Sequence, residues 1–508
     1  MARNITIAQI LTLLILAAIL MSLFAGCAGG QSEETYSGTV AAVESSCLVA
    51  AGETGPTLTG VLLKLNTKVD AVDTDSSVRV LTNGTQRTVE SAYLADKNGE
   101  TVSGSSAYVC IMLKGTGEDV DELLDMNDEQ HLEWSDSYEL QVSVGIEKDG
   151  SSCEVSYSSS ELSDVVSEEL SLFSVNDTFS GTYENPLTGQ TDELTLTWAA
   201  YEPETLSGGE QNPLIIWLHG RWEGGTDLSE AILGNQVSAL AGEQIQSYFS
   251  SDDGSTGAYV LLVQTPTYWM DAGDGEEGEG DRCSRYTEIL MDTILNYVRE
   301  NPDVDPDRIY LGGGSNGGYM TVEMLIHYPD FFAAGFPVSE AYSAYNYMTD
   351  RSGNYITGFR GENIAVSSNL SESDIEALCS TPIWFVQTIT DAVVSAEDCA
   401  LPIYEKLLRA GADNCWLSLY DRVQGEEEGT EYNNHWAWIY LFNDSVEYVQ
   451  DTQSVLSGRS FFGGWGGFGG WGSGVRWSAN AYGGTVSVSD DTGGSYDSIF
   501  AWLNAQSL

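Results

Sequence analysis

Apolar runs typical of buried strands alternate with amphipathic patterns typical of helices in the C-terminal part of the chain. This alternation constrains the fold more than any other feature. The strand-like runs lie at 214–218, 258–263, 308–311, 333–338, 382–386 and 415–420. The helical patterns lie at 285–299, 316–328, 397–410 and 498–505. Such alternation favours a mostly parallel sheet with helices on both faces, so we expect an α/β domain over residues 176–508.

Residues 37–175 have a different pattern, in which short alternating strands are separated by turn residues. Examples lie at 60–65, 77–81, 107–113 and 138–144. Short strands at hairpin spacing predict a β-sandwich of immunoglobulin-like type. We interpret this region as a spacer or a lid against the next domain; the alternative is a module that binds carbohydrate or another polymer.

The first residues have the pattern of a targeting segment. Arg3 precedes an apolar run at 10–21 that is short for a membrane span. The sequence Leu-Phe-Ala-Gly-Cys at 23–27 resembles the lipobox of bacterial lipoproteins. That resemblance implies a signal peptide at 1–26, a diacylglycerol on the sulfur of Cys27, and a tether at 27–36. The protein is then expected on the outer face of a bacterial membrane. An ordinary signal peptide or a single anchor helix is the alternative.

The charge excludes one class of partner. The chain of 508 residues has 20 Lys and Arg against 76 Asp and Glu, a net charge of −56. So few cations cannot neutralise a phosphate backbone, so we expect no nucleic-acid partner. A glycine- and tryptophan-rich stretch at 457–484 predicts a surface insertion without regular structure. The alternative is that its aromatic side chains bind sugars or an apolar polymer.

The cysteines and histidines argue against a metal site. Besides Cys27 the chain has seven cysteines, and an odd number leaves at least one outside any intramolecular disulfide. Disulfides are allowed outside the cell, although their pairing cannot be read from the sequence. With no Cys-x-x-Cys motif and only four histidines, the sequence disfavours zinc. We expect neither a metal nor a cofactor.

A candidate nucleophile follows the strand at 308–311. The sequence Gly-Gly-Ser-Asn-Gly at 313–317 has the Gly-x-Ser-x-Gly pattern between a strand and a helix. The sharp turn that presents Ser315 leaves no room for side chains two residues away on either side, and Gly313 and Gly317 meet that demand. The start of the following helix places unpaired amides beside the serine oxygen.

A serine hydroxyl needs a base to accept its proton, and histidine is the natural base near neutral pH. The chain offers His131, His219, His327 and His435. His131 belongs to the other predicted domain, and the helix after Ser315 carries His327 away from the turn. His219 ends a strand, where a role in shaping the next loop suits it better. We therefore predict His435 as the base.

The base needs an acid to fix its tautomer. Asp391 follows the strand at 382–386 and is expected at the same sheet edge as Ser315. Glu340, after the strand at 333–338, is the alternative acid. If Asp391 serves, Glu340 becomes a candidate for the substrate pocket or for a structural hydrogen bond.

The tetrahedral intermediate of acyl transfer needs two backbone donors. One is predicted to be the amide of Asn316, directly after the nucleophile. The other is expected in the loop at 220–225, where we favour the amide of Arg221 over that of Trp222.

Together, Leu-His-Gly at 218–220, the motif at 313–318, Asp391 and His435 resemble the esterase and prolyl-oligopeptidase-like branch of the α/β-hydrolases. They are similar to bacterial "predicted peptidases" and to polyhydroxybutyrate-depolymerase-like esterases, some of which carry an immunoglobulin-like domain ahead of the catalytic one. The resemblance implies an α/β-hydrolase fold and an acyl-enzyme mechanism. It departs at Arg221, where many relatives have a small residue.

Aromatic side chains near the expected mouth suggest an apolar or aromatic substrate group. The predicted substrate contacts are Trp222, Trp269, Trp436 and Glu340. The favoured function is a tethered carboxylesterase acting on small or polymeric esters, with a peptidase on the same triad as the alternative. A non-catalytic polymer-binding lipoprotein is the third reading, and the oligomeric state stays open.

Overall fold

The protein is described by a computed structural model over much of its length. It covers residues 39–73, 78–115, 121–128, 130–162, 164–203, 211–250, 257–273, 283–351, 355–358, 363–446, 449–457, 477–480, 486–487, 495–496 and 498–508. The predicted signal peptide and tether, including Cys27, and most of the 457–484 stretch lie outside these residues. Within the described part, no helix has both the length and the hydropathy needed to cross a membrane.

The N-terminal region consists of β-strands arranged in two main sheets. Its strands are β1 (Ala42–Gly52), β2 (Gly55–Val69), β3 (Ala71–Val72), β4 (Arg79–Thr82), β5 (Thr85–Gln86), β6 (Val89–Ala95), β7 (Ser106–Leu113), β8 (Leu124–Met126), β9 (Leu132–Trp134), β10 (Leu140–Lys148), β11 (Ser151–Ser159) and β12 (Val165–Val166). One sheet has the order β12-β1-β2-β7-β6; the other has β11-β10-β4-β5, with β3 also on β10. Strands β8 and β9 form a separate hairpin.

The two N-terminal sheets share one apolar core. Val61 and Val109 from the first sheet and Val80 and Val144 from the second are fully buried in the same cluster. Alternate residues of β10 point outward, as expected for strands with one solvated face. The predicted sandwich is therefore present as two packed sheets, while its immunoglobulin-like character stays a prediction.

The C-terminal region is built on an eight-stranded sheet. Its strands, in sheet order, are β13 (Val175–Glu184), β14 (Thr191–Tyr201), β16 (Tyr259–Gln264), β15 (Asn212–Leu218), β17 (Val304–Gly314), β18 (Ala334–Val338), β21 (Ile383–Thr388) and β22 (Cys415–Tyr420). The six strands from β16 to β22 run parallel, and β13 and β14 form an antiparallel edge. The mostly parallel sheet predicted from the alternation is confirmed.

Helices and short strand pairs complete the fold. The described α-helices are α1 (Glu168–Leu172), α2 (Leu228–Leu233), α3 (Glu243–Gln246), α4 (Thr287–Glu300), α5 (Asn316–His327), α6 (Glu372–Ser380), α7 (Ala400–Ala410), α8 (Trp438–Phe442), α9 (Thr452–Ser457) and α10 (Ile499–Asn504). The 3₁₀ turns are Arg221–Glu223 and Val237–Ala241. The short strands are β19 (Tyr345–Tyr347), β20 (Ala365–Ser368), β23 (Val423–Gln424), β24 (Glu431–Tyr432), β25 (Val486–Ser487) and β26 (Ser495–Tyr496).

The central strand β15 is buried along its whole length, because helices cover both faces of the sheet. Ile215 and Trp217 enter the core on one face, and Leu214 and Ile216 enter the core on the other. An unbroken apolar run is typical of parallel strands with two covered faces. This packing holds the carboxyl ends of the parallel strands in fixed positions, and the candidate site lies there.

The N-terminal sheets and the parallel-sheet region are in direct contact. Their buried side chains form one continuous apolar cluster. Helix α1, which follows β12, packs against α2 of the C-terminal region. Cys110, Cys153, Cys379, Cys399 and Cys415 are free thiols in the described part of the chain.

Candidate active site

Ser315 occupies the sharp turn between β17 and α5, in a strained backbone conformation with φ 55° and ψ −111°. The flanking glycines are sterically required. A Cβ at Gly313 would lie 2.5 Å from the carbonyl carbon of Gly317, and a Cβ at Gly317 would collide with the carbonyl oxygen of Leu218. The close approach predicted from the glycine spacing therefore exists, and it also brings the start of α5 against the end of β15.

The side chains of Ser315, His435 and Asp391 form a continuous hydrogen-bonded chain. His435 Nδ1–H donates to Asp391 Oδ2 at 2.8 Å, and Ser315 Oγ–H donates to His435 Nε2 at 2.8 Å. This pattern leaves Nε2 unprotonated, as an acceptor facing the serine hydroxyl. Residues separated by 120 and 44 positions along the chain thus meet at the carboxyl edge of the sheet.

Asp391 is held as an acceptor by the loop that follows β21. Its Oδ1 accepts from the amides of Val393 and Val394 at 2.8 and 2.9 Å. Its Oδ2 also accepts from Gln387 Nε2 at 3.3 Å. Hydrogen bonds to both oxygens fix the orientation of this buried carboxyl group.

The loop between β24 and α8 positions His435. Its amide donates to Asn433 Oδ1 at 3.0 Å. Its ring meets the Trp438 ring edge to face, with centroids 5.3 Å apart. These contacts limit ring rotation, so the two imidazole nitrogens stay aimed at their partners.

The predicted oxyanion loop begins where β15 ends. Gly220 N–H donates to the Glu223 carboxylate at 2.8 Å, which closes the 3₁₀ turn Arg221–Glu223. His219 Nδ1–H donates to the carbonyl oxygen of Gly220 at 2.5 Å, and its Nε2 accepts from the Thr265 amide at 3.1 Å. His219 therefore shapes the loop, as the sequence suggested.

Burial changes the ionisation of both groups that shape this loop. It lowers the pKa of His219 to about 4, so the ring is neutral near pH 7. It raises the pKa of the Glu223 carboxyl to about 7, although the hydrogen bond from Gly220 acts in the opposite direction.

The amides of Asn316 and Arg221 are candidates for the two oxyanion donors. Tyr319 N–H donates to the carbonyl oxygen of Ser315, so the Asn316 amide lies ahead of this bond at the start of α5. A Cβ at Gly220 would lie 3.9 Å from the Gly314 carbonyl oxygen, so the loop that carries Arg221 runs beside the nucleophile turn. The loop that carries Arg221 and the start of α5 that carries Asn316 therefore both lie beside the Ser315 turn.

Comparisons with known proteins agree with this arrangement. Residues 288–412, about a quarter of the chain, match the model of the prolyl oligopeptidase family (Peptidase_S9). That range includes Ser315 and Asp391 and ends before His435. A crystal structure of a thermostable esterase is similar with a TM-score of 0.55 and 20% identity, over 78% of this chain and 96% of that one.

Two further likenesses are weaker. The chain is 32% identical over 71 residues to poly(3-hydroxyalkanoate) depolymerase C of Paucimonas lemoignei, covering 14% of this chain and only 16% of that protein's length. It is 15% identical to the acylaminoacyl peptidase of Pyrococcus horikoshii, with a TM-score of 0.34, over 78% of this chain and 56% of that one.

The chain has the α/β-hydrolase fold. The likeness to the thermostable esterase covers a larger share of the chain than residues 175–508 make up, so it extends into the N-terminal sheets. The fold class predicted for the C-terminal part is thereby confirmed.

The predicted substrate contacts separate into exposed and buried residues. Trp222, in the 3₁₀ turn Arg221–Glu223, is 44% exposed. Trp436 is partly buried against Tyr432, with ring centroids 6.2 Å apart. Trp269 is fully buried beside His219, and its backbone amide donates to Asn316 Oδ1 at 2.5 Å. The prediction of a substrate contact at Trp269 is corrected: its side chain has no open surface, and its amide orients Asn316.

Glu340 is also buried, behind the nucleophile turn. Its Oε2 accepts from the Tyr342 amide at 2.6 Å, and a Cβ on Gly318 would lie 2.8 Å from its Cα and Cβ. Burial raises the pKa of this carboxyl to about 8. The structure gives Glu340 the hydrogen bond expected of a structural group, and it gives Asp391 the contact with His435.

Sequence reasoning missed the residues that support the triad. Gln387, Asn433 and Trp438 all contact Asp391 or His435. Their positions at the end of β21 and beside His435 were the available signals, but an amide or indole in such places is common in any fold.

Proposed function

We propose that this hydrolase is a membrane-tethered carboxylesterase that uses Ser315, His435 and Asp391 in an acyl-enzyme mechanism. The observation that carries the proposal is the hydrogen-bonded chain Ser315–His435–Asp391, with both bonds at 2.8 Å, on a strained turn. A nucleophile bonded to a base that is itself oriented by a third group is the arrangement that activates a serine.

In the first step Ser315 Oγ attacks the carbonyl carbon of the ester. His435 Nε2 takes the hydroxyl proton as the new C–O bond forms, and Asp391 stabilises the resulting imidazolium through Nδ1–H. The carbonyl oxygen becomes an oxyanion facing the amides of Asn316 and Arg221. His435 then gives its proton to the leaving alcohol as the ester C–O bond breaks.

The second step releases the acid. Water attacks the acyl carbon while His435 Nε2 accepts its proton, and the same oxyanion donors serve again. The proton returns to Ser315 Oγ as the acyl C–O bond breaks, which regenerates the starting hydrogen-bond chain. The residues on this path supply the base, acid and oxyanion donors that both steps require.

We favour esters over peptides because a structural likeness that covers 78% of this chain and 96% of the other is to an esterase. The match to a depolymerase of polymeric esters points the same way. Trp222 offers an open apolar surface next to the oxyanion turn, suited to an apolar acyl or alcohol group. A peptidase is the second candidate, because the matched family model is that of the prolyl oligopeptidases.

The tether is the second part of the proposal and depends on the lipobox-like sequence at 23–27. A lipid chain on Cys27 would anchor the protein by roughly 0.8 kcal/mol per buried methylene. Changing Cys27→Ser should move the protein from the membrane fraction to the soluble fraction of its host and abolish incorporation of radiolabelled palmitate. Unchanged palmitate labelling in this variant would exclude Cys27 as the lipidated residue.

The catalytic proposal is tested with a fluorophosphonate probe and a substrate panel. Wild type should be labelled at Ser315 and should hydrolyse p-nitrophenyl acetate and butyrate faster than amino-acyl p-nitroanilides. Ser315→Ala should lose the label and about 10⁴-fold or more of the turnover. His327→Ala is the matched control, because His327 lies on the same helix as the turn with its side chain 49% exposed. Wild type that takes no label would contradict the mechanism, and faster anilide cleavage would favour the peptidase.

A further inference from the structure

The N-terminal sheets place a carboxylate on the loop that carries the predicted base. Glu53 lies in the tight connection between β1 and β2, where Gly52 and Gly55 are the last paired residues. This turn projects from the sandwich onto the segment around β23 and β24. The sandwich therefore contacts the segment that leads to His435 through a carboxylate side chain.

Glu53 accepts three hydrogen bonds from the C-terminal region. Its Oε1 accepts from the Glu426 amide at 2.9 Å and from Asn443 Nδ2 at 2.5 Å. Its Oε2 accepts from Tyr432 Oη–H at 2.9 Å. A Cβ on Gly425 would lie 2.6 Å from Glu53 Oε2, so the hairpin fits closely around the carboxylate. Bonds of this kind to a charged acceptor are about twice as strong as neutral ones.

These three donors bracket His435 along the chain. Glu426 and Tyr432 precede it, and Asn443 follows it at the end of α8. Glu53 therefore fixes both ends of the segment whose middle carries the imidazole. The ring of Tyr432 also lies against that of Trp436, the residue directly after His435.

A second contact joins the sandwich to the oxyanion side of the site. Trp134 Nε1–H in the β8–β9 hairpin donates to Ser229 Oγ at 2.8 Å, at the start of α2. His131 Nε2 from the same hairpin comes within 3.4 Å of the position that a Cβ on Gly224 would occupy. The N-terminal sheets thus contact two of the loops that border Ser315, and Glu53 makes its contacts on the side of His435.

We propose that Glu53 is a positioning residue, through which the N-terminal sandwich sets the distance between His435 Nε2 and Ser315 Oγ. This inference rests on the proposed function. It assigns the sandwich a part in the reaction, in place of the spacer or lid expected from the sequence. A misplacement of about 1 Å can cost about 10²-fold in rate, so loss of this anchor is expected to reduce turnover.

The test compares Glu53→Ala and Glu53→Gln with Glu427→Gln in the full chain. Glu427 is the matched control, because it lies in the same hairpin, its side chain is 53% exposed, and its ion pair to Lys114 is long, at 3.8 Å. Active-site titration with the fluorophosphonate counts competent sites, and kcat and KM on p-nitrophenyl butyrate are then expressed per titrated site. A purely structural role would lower the number of sites but not the kcat of each.

Glu53→Ala should lower kcat per titrated site and the fluorophosphonate labelling rate by about tenfold to a hundredfold, with little change in KM. Glu53→Gln, which keeps one acceptor oxygen, should recover part of the loss, and Glu427→Gln should match wild type. Tyr432→Phe removes one donor and should cost several-fold alone but add little to Glu53→Ala. If Glu53→Ala does not fold, Glu53→Gln and Tyr432→Phe carry the test.

Wild-type kcat per titrated site in Glu53→Ala, or in both Glu53→Gln and Tyr432→Phe, would overturn the positioning role. Wild type that takes no label at Ser315 would instead overturn the proposed function. The two failures are therefore distinguishable in the same set of measurements.

Discussion

The sandwich and the parallel-sheet region each bury a charged side chain, but in different surroundings. In the sandwich, the fully buried Arg87 side chain pairs with Asp121 at 3.0 Å and donates to the carbonyl oxygens of Leu58 and Lys114. Tyr138 Oη–H also donates to Asp121. These partners are backbone carbonyls and groups of the sandwich itself, so the network holds strands and a loop together.

In the parallel-sheet region, the buried pair is His435 with Asp391 at 2.8 Å, with side-chain exposures of 6% and 0%. Here the second imidazole nitrogen bonds to a serine hydroxyl on a strained turn. That hydroxyl becomes a nucleophile when its proton is removed. The two networks are similarly buried and paired, and they differ in the final hydrogen-bond partner: backbone carbonyl oxygens for Arg87 and a serine hydroxyl for His435.

Asp391→Asn should show the largest effect that separates the two networks. The Asn side chain is neutral and can donate an N–H to the imidazole where Asp391 accepts one. The imidazole is therefore expected to adopt the wrong tautomer, with about a 10⁴-fold loss in kcat. The overall fold should persist, because Asn can still accept from the amides of Val393 and Val394. The measurement is kcat on p-nitrophenyl butyrate together with the melting temperature.

Arg87→Met is the control from the sandwich. Removing one partner of a buried pair typically costs about 3–5 kcal/mol, so the free energy of unfolding should fall clearly. The kcat per titrated site should stay within about threefold of wild type. A large loss of kcat in Arg87→Met, or none in Asp391→Asn, would contradict the division between a structural and a reactive pair.

The sequence was sufficient for the main elements and for choosing the three residues that the structure brings together, because these carry local signals. The runs at 214–218 and 415–420 are buried strands, and the glycine spacing around Ser315 has the steric cause that was expected. The choice among four histidines followed from where each lies relative to a predicted strand or helix. Such inferences need only a short window of sequence.

Other features depend on contacts between distant residues and were not predicted. Strand β13 has a mostly exposed or half-buried pattern without the apolar run of a central strand, because it lies at the sheet edge. The contact between Glu53 and Tyr432 joins residues 379 positions apart. A tryptophan such as Trp269 has the same local pattern whether it lines a mouth or fills a core, so its burial could only come from the fold.

Glu340 extends the comparison to a buried acid whose Oε2 accepts from a neutral donor, the Tyr342 amide. Because burial raises its pKa from 4.5 to about 8, the folded protein holds this proton where the unfolded chain has lost it. The unfolded state then binds fewer protons between about pH 4.5 and 8, so stability falls as the pH rises through this window. Glu340→Gln removes that dependence while its amide oxygen can still accept from the Tyr342 amide.

The melting temperature of Glu340→Gln, relative to wild type, should therefore rise from pH 5 to pH 8.5, by an amount corresponding to a few kcal/mol at most. A fixed cost from placing the new amide group in the core would shift both ends of the profile equally, so the slope of the difference is the informative quantity. Glu44→Gln in the sandwich, which loses only a surface ion pair to Lys64, is the matched control and should change little. A difference between Glu340→Gln and wild type that stays constant with pH would mean that the Glu340 carboxyl ionises as it does in the unfolded chain. The interpretation of Glu340 as a buried acid that stays neutral at pH 7 and serves only in structure would then be lost.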